Sequence, residues 1–496
     1  MWNLKPKAEL TEDETRVGLK MVLWDGLTAE VMTSFTEGAF LIAMALLLGA
    51  NNVQIGLLAS LPMFTNIFQL ISIWLVRKYN NRRAVAVYSS FLARIPLIII
   101  GVSVLWLSGD SVGLLIFFLF FYYFFGSIAG PSWNSWMKDL IPEKMLGEYF
   151  SQRSRYTQIL NIVLSISLAL ILDFVKNFYQ EYELNAYAIF FVIAGIIGII
   201  GGFLLSKAPE PQSYLSNANI VALFKQPLKN DNFRRLLIFN SMWVLALNIA
   251  TPFFIVFMMK SMGLPISYII ILGTISQLFS VLTLRMWGTL SDRYSNKSII
   301  SLSAPIYILC IIAWCFVGIY SHYFLNIALL ALIHIFSGVA TAGINLSTAN
   351  IGIKLAPKED AIVYLSVKNI VTAVFASIGP VIGGILADFF SDRRLTIFAQ
   401  WESPLFPKTI RLLSLHEWTF LFLIGAIIAF FSLNLLNRVK EVGEVHKGVV
   451  KRVMRTRIKS NLKEYFIIGD IINLHQQLRA IVKRTRRNRR RKPIVP

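Results

Sequence analysis

The sequence predicts an all-α membrane protein of twelve transmembrane helices, arranged as two parallel six-helix repeats. Three observations carry that prediction. Of 496 residues, 56% are hydrophobic and only 15% charged, where a soluble domain has about a quarter charged. Twelve apolar runs are each long enough to cross a bilayer. The chain also matches itself when slid by 215 residues. A mean hydropathy of +0.61 excludes a soluble enzyme, a disordered chain and a fibre.

A spanning helix needs about 20 mostly apolar residues. Such runs fall near 24–48, 53–76, 84–107, 112–137, 154–175 and 186–206, then 234–259, 266–287, 298–319, 324–353, 365–390 and 416–437. Lipid gives a bare backbone no hydrogen-bond partner and no barrel alternation is present, so every structured part is expected to be helical. Residues 1–23 are read as a cytoplasmic N-terminus, and 24–206 as the first six-helix half. A central linker, 207–233, contains Pro209, Pro211 and Pro227. The second half is 234–437, and 438–496 is a basic tail. No apolar stretch precedes Met21, so the first helix is expected to serve as the insertion signal.

Basic residues set the orientation. Arg77, Lys78, Arg82 and Arg83 follow the second helix, and Arg293 and Lys297 follow the eighth. The positive-inside rule then places both termini in the cytoplasm and the protein in the cytoplasmic (inner) membrane as a multi-pass chain. The formal charge of +21 is largely a tail property: Arg438 to Pro496 holds 18 of the 48 Lys and Arg but only 4 of the 27 Asp and Glu. Leu474, Leu478 and Ile481 repeat at helical spacing, and eight of the ten residues from Lys483 to Lys492 are basic. A basic amphipathic segment beside a membrane predicts anionic-lipid binding. Nucleic acid is the weaker partner, because no aromatic residues interleave with the arginines. Cys310 and Cys315, five apart in one apolar run, fit neither a metal nor a disulfide pattern and are read as lipid-facing or packing residues. No cofactor is expected.

The repeat is specific. Leu140, Pro142, Tyr149, Ser151, Asp173 and Phe174 fall on Leu355, Pro357, Tyr364, Ser366, Asp388 and Phe389 without a gap, and a one-residue slip pairs Asn81-Arg82-Arg83 with Ser295-Asn296-Lys297. Halves in the same orientation are parallel repeats about an axis along the membrane normal. Between helices 8 and 9 stands Gly288-Thr-Leu-Ser-Asp292-Arg293-Tyr-Ser-Asn-Lys297, which resembles the conserved cytoplasmic loop motif of the major facilitator superfamily. The resemblance covers about 20–440 and implies that superfamily's fold and a transport function. Two features depart from it. In the first-half loop the usual Gly is Trp74 and the usual Asp is Lys78, so an acid-to-base latch between halves can come only from Asp292. Gly379-Pro380-Val-Ile-Gly383-Gly384 lies in helix 11 rather than helix 5, and helix 4 has no Arg over 114–125, which argues against the drug–proton antiporters. Ser132-Trp133-Asn134-Ser135-Trp136, with Asp139 and Pro142, is similar to a bacterial subgroup without an assigned substrate.

Candidate working residues follow. Asp292 reads as a gate or a helix cap. Gly288, Arg293, Arg82, Arg83 and Lys297 complete the gating loops or simply anchor the chain on the positive side. Glu37, about 13 residues into the first helix, lies near the midplane at 1.5 Å per residue, on a polar stripe with Glu30 and Thr33. A carboxylate at that depth is costly to ionise, which suits a proton-coupling site as well as a packing role. Asp25 and Glu30 are placed nearer the cytoplasm, in water. Arg94 is the one basic residue read as mid-span. It could pair with Glu37, attract an anionic substrate, or form a structural ion pair. His334 is a possible proton relay or a lone satisfied histidine.

Helices 1, 4, 7 and 10 are cavity helices by resemblance. Their neutral polar residues Thr33, Tyr122, Tyr123, Asn134, Asn240, Trp243, Asn248, Thr341 and Asn345 are the substrate candidates, or else interhelical glue. Gly130-Pro131 and Gly343 are expected to loosen helices 4 and 10, while Phe117 to Phe125 face lipid. The reading favoured by these features is a secondary active transporter of a small organic solute, proton-coupled through Glu37. No Walker-type loop is present to use ATP. A membrane-embedded lipid-modifying enzyme and a transporter-like sensor signalling through the tail are the alternatives. The five histidines form no HExxH pattern, and neither alternative explains the repeat.

Overall fold

The computed structural model describes residues 4–441 except 107–110, 143–144, 213–219, 320–321, 358–360 and 403–407. The basic tail readings, from Leu474 to Lys492, therefore lie outside the described residues.

Twelve helices are long and apolar enough to cross a membrane. Spans 1 to 6 are Glu12–Leu47, Asn52–Tyr79, Arg82–Trp106, Val112–Leu140, Leu146–Phe178 and Gln180–Leu205. Spans 7 to 12 are Asp231–Ser261, Ile266–Arg293, Asn296–Trp314, Tyr323–Leu355, Val363–Phe390 and Trp418–Asn437. Span 1 starts well before the apolar run because Thr11 and Glu14 form a capping box, which satisfies the first free N–H groups and lets the helix begin in polar sequence.

The N-terminal segment, the linker after span 6 and the end of span 12 share one face of the bundle, here the terminal face. Lys7 bridges to Pro211, and Asn232 donates to the Lys440 carbonyl at 2.8 Å. The opposite face carries an antiparallel hairpin, β1 (Arg394–Trp401) and β2 (Lys408–His416), with a register shift at Ile397/Phe398. This hairpin corrects the expectation of an all-helical chain. It lies between spans 11 and 12, outside the apolar runs, where water can satisfy its open edges.

The two halves meet chiefly toward this hairpin face. Span 2 packs on span 11 and span 5 on span 8. The contact is close because Gly56 faces the Pro380 carbonyl and Gly384 faces the Asn52 backbone, where a side chain would collide. The Gly-Pro-x-x-Gly-Gly sequence of span 11 thus serves helix packing by small residues, with Gly383 against the Ile249 carbonyl of span 7.

Candidate functional site

Span 1 is not one helix. It runs as Glu12–Thr36 and resumes as Gly38–Leu47, with Glu37 capping both pieces in extended conformation. Gly38 makes the turn at φ +63°, a left-handed conformation that is inexpensive only for glycine. The piece before the break packs on spans 5 and 6, and the piece after it touches spans 7 and 8 of the other half. The break therefore sits where the chain passes from its own half to the interface. Sequence reasoning located Glu37 but expected loosening at Gly130-Pro131 and Gly343 instead. Both remain inside continuous helices.

Tyr122, buried on span 4, donates its hydroxyl to Glu37 Oε1 at 3.3 Å. Its ring lies 4.7 Å from that of Tyr123. Both tyrosines line a cavity of ≈ 420 Å³ shared with Arg94, Asn134 and Gln69. Span 2 contributes a second discontinuity there, a tight turn at Asn66–Phe68 after Pro62, and Asn66 also lines the cavity. Tyr122 thus joins the acid at the helix break to a polar cavity.

Arg94 does not pair with Glu37. Its guanidinium lies 3.5 Å from Asp25, and both side chains are buried. Asp25, expected in water, is inside the bundle, where span 1 packs closely on span 6 at Gly201. A second cation missed by sequence, Arg153 of span 5, also acts on Asp25 and stacks over Trp133 at 5.1 Å. These groups form an ion cluster within the first half, so Arg94 takes the structural ion pair among its expected roles. Lys368 of span 11 is a further buried cation.

The second half builds a different cavity. His334 meets the Leu330 carbonyl through Nδ1 at 2.8 Å and Trp314 edge-on at 5.7 Å. It lines ≈ 390 Å³ with Gln277, Tyr307 and Cys310, together with Asn161 and Ser165 from the first half. Cys310 and Cys315 are both buried, so they pack inside rather than face lipid. His334 thus borders a different space from the cavity that Tyr122 links to Glu37. Of the neutral candidates, Thr33, Asn248 and Thr341 spend their donors on backbone carbonyls of their own helices. Asn240 and Trp243 are buried and line neither of these cavities, and Asn345 is exposed.

The gating loops are tied within each half. Glu210, after span 6, accepts from the backbone N–H of Arg82 and Arg83, both at 3.0 Å, and from Arg82 Nε at 2.9 Å. Arg82 also reaches Asp139. Glu441, after span 12, repeats this on Asn296 at 3.1 Å and Lys297 at 2.8 Å. In each half a carboxylate beyond the sixth helix caps the N-terminus of the third, a favourable charge–dipole arrangement. Arg82, Arg83 and Lys297 are accordingly held inside their own halves by Glu210 and Glu441. Asp292 and Arg293 are exposed, Arg293 beside the Tyr294 ring at 5.6 Å, and Gly288 lies next to Leu346.

Hydrogen bonds between halves gather at the hairpin face. Asp173, at the end of span 5, accepts from the N–H groups of Ile266 at 3.0 Å and Ser267 at 3.1 Å. Asp388, at the end of span 11, accepts from the Asn52 amide at 2.9 Å, and Asn52 in turn accepts from Trp418 at 3.1 Å. Sequence comparison showed Asp173 and Asp388 as equivalents but gave no sign of their partners, which lie in the opposite half.

The family model of the Major Facilitator Superfamily matches residues 27–352 and again 236–479. Among solved structures, a POT family peptide transporter in an autoinhibited form is similar at TM-score 0.63 and 12% identity, covering 86% of this chain and 98% of its own. The nucleoside transporter NupG is similar at TM-score 0.57 and 15% identity, covering 85% and 98%. A bacterial homologue of the iron transporter ferroportin in an inward-facing state scores 0.59 at 10% identity, covering 86% and 99%. At these identities the likeness concerns the fold alone. No curated protein matches the sequence.

Proposed function

This chain belongs to the Major Facilitator Superfamily, and we propose that within it the protein is a secondary active transporter. It moves a small organic solute across the cytoplasmic membrane by alternating access, with protonation of Glu37 as the coupling step. The observation that carries this reading is the broken first span, with a carboxylate at the break and a tyrosine linking it to a polar cavity. Discontinuous helices at the midplane are where secondary transporters bind coupling ions and solutes. A carboxylate there is costly to leave charged, so it exchanges its proton as access changes from side to side.

The terminal face is assigned to the cytoplasm by its arginines and lysines. The conformation is then sealed on the outside by Asp173 and Asp388. Asp292 is assigned the cytoplasmic latch, engaged when that face closes, and the 438–496 tail is assigned to anionic lipid. The test is reconstitution. Purified protein in liposomes loaded with a pH dye should take up a solute, found by thermal-shift screening, together with protons. Solute movement without proton movement would remove the coupling, and no solute movement for any thermally stabilising ligand would remove the transport reading.

A further inference from the structure

We propose that the second half holds an oxyanion at Lys368, where spans 7, 10 and 11 meet, and that this oxyanion is the acidic group of the transported solute. The second clause rests on the transport reading above; the first does not.

Lys368 is 8% exposed. Its Nζ donates to the Thr348 carbonyl at 2.8 Å, and among the described residues it forms no ion pair. An ammonium has three N–H donors, so two remain for another acceptor. A buried cation without a counter-charge is strongly disfavoured.

The internal repeat shows what is missing. Sliding by 215 places Arg153 on Lys368, Trp133 on Thr348, Asp25 on Asn240 and Gly26 on Ser241. In the first half the cation stacks on Trp133, lies against Gly26 and acts on Asp25, whose ion-pair partner is Arg94. The second half keeps the arrangement, with Lys368 against Thr348, but an amide stands in place of the acid. Asp25 and its ion-pair partner Arg94 are both gone, since sliding by 215 puts Leu309 on Arg94. Of that cluster's charges only the second cation is retained, as Lys368.

The surrounding polar atoms point the same way. Asn240 is 1% exposed and neither side-chain atom has a partner. The hydroxyls of Ser241, Ser347, Thr348 and Thr372 are buried without partners too. Buried polar atoms nearly always find a partner, so this concentration on three helices is exceptional. The helices bring them together. Phe233 meets Tyr364 at 4.8 Å between ring centroids and Asn248 meets Gly379, so spans 7 and 11 run side by side with Asn240 and Ser241 level with Thr372. Lys368 and Thr372, four apart, share a face of span 11, and Lys368 reaches span 10 at Thr348. Gly352 leaves room for the ammonium, and the exposed Asn345 lies one turn along span 10 from Thr348.

An ammonium, four hydroxyls and an amide NH₂ offer donors, and among the described residues Lys368 forms no ion pair with an acid. A carboxylate or phosphate, which only accepts, would satisfy the donors and neutralise Lys368 together. A cationic ligand would meet Lys368 unshielded.

The experiment uses the purified full chain and thermal unfolding in acetate, succinate, inorganic phosphate or sulfate, each against chloride at equal ionic strength. The wild type is expected to be stabilised saturably by at least one of them. Carboxylate response identifies an organic acid as the source, and response to phosphate or sulfate alone identifies an inorganic or phosphorylated one. Lys368→Gln should weaken the response at least roughly tenfold, as loss of a charge-assisted hydrogen bond does. Asn240→Asp, which places an acid where the first half has Asp25, should fold and lose the response, and it carries the test if Lys368→Gln does not fold. No saturable response in the wild type, or one that survives Asn240→Asp, overturns the proposal. Anion stabilisation without uptake in liposomes would keep the site and remove the transport reading. Uptake of a neutral solute without anion stabilisation would do the reverse.

Discussion

Asp173 and Asp388 occupy equivalent places in the two halves, and each holds the start of a helix from the other half. Asp173 takes the N–H of Ser267, at the start of span 8, and Asp388 takes the side-chain amide of Asn52, at the start of span 2. Ser267 and Asn52 are themselves 215 residues apart. The hairpin face is thus closed by a carboxylate at a helix start in both halves: Asp173 on the free backbone N–H groups of span 8, where the dipole favours negative charge, and Asp388 on the side-chain amide of Asn52.

Removing either acid should open this face. Asp388→Ala or Asp173→Ala is expected to cost the closed state about 1–2 kcal/mol, a shift of roughly 5–30-fold in the closed-to-open ratio. The double variant should shift it further. Cysteine labelling at the hairpin face measures this, and unchanged labelling in the double variant would make the pair dispensable for closure.

Glu417 makes the same face sensitive to pH. Burial pushes its carboxyl up to about 7, with Asp388 and Asp392 adding to the rise and Lys260 and Asn52 opposing it. His416 beside it is pushed below its ordinary value by burial and by Arg394. A carboxyl held above its ordinary value binds a proton in the closed face that an exposed carboxyl releases. Closure through Glu417 is therefore favoured at low pH and weakened as pH rises from the ordinary carboxylate range toward 7. Labelling between roughly pH 5 and 8 should increase with pH in the wild type and lose that slope in Glu417→Gln. An unchanged slope would assign the pH dependence elsewhere.

Gly38 should be replaceable only at a cost set by the backbone. A Cβ there meets nothing within 4 Å, so Gly38→Ala acts through φ +63° alone, about 1–2 kcal/mol. Asn tolerates the left-handed region better, so Gly38→Asn should melt closer to the wild type. Equal melting of all three proteins would mean that the break is not held by this glycine.

The fold was legible because its signals are long. Twelve apolar runs and a 215-residue repeat survive errors of several residues at each helix end. The site was legible where a single residue violates its surroundings, as Glu37 does within an apolar run. It was not legible where the outcome depends on a partner far away in sequence. Asp25 reads as solvated until span 6 packs over it through Gly201, and Arg94, lying on Gly198, then meets Asp25 rather than Glu37. Arg82 looks like a gate until Glu210, distant in the chain, claims it. Lys368 passed unnoticed near the end of an apolar run, and only its comparison with Arg153 shows that an acid is lacking. The hairpin was hidden because the stretch between spans 11 and 12 is polar enough to pass for an irregular loop.

The central claim is that Glu37 couples solute movement to protons. The most direct measurement compares wild type and Glu37→Gln in liposomes for pH-gradient-driven uptake and for solute counterflow without a gradient. Glutamine keeps an acceptor for the Tyr122 hydroxyl but cannot exchange a proton. The account predicts that gradient-driven uptake is lost while counterflow continues. Gradient-driven uptake at the wild-type level in Glu37→Gln would contradict it.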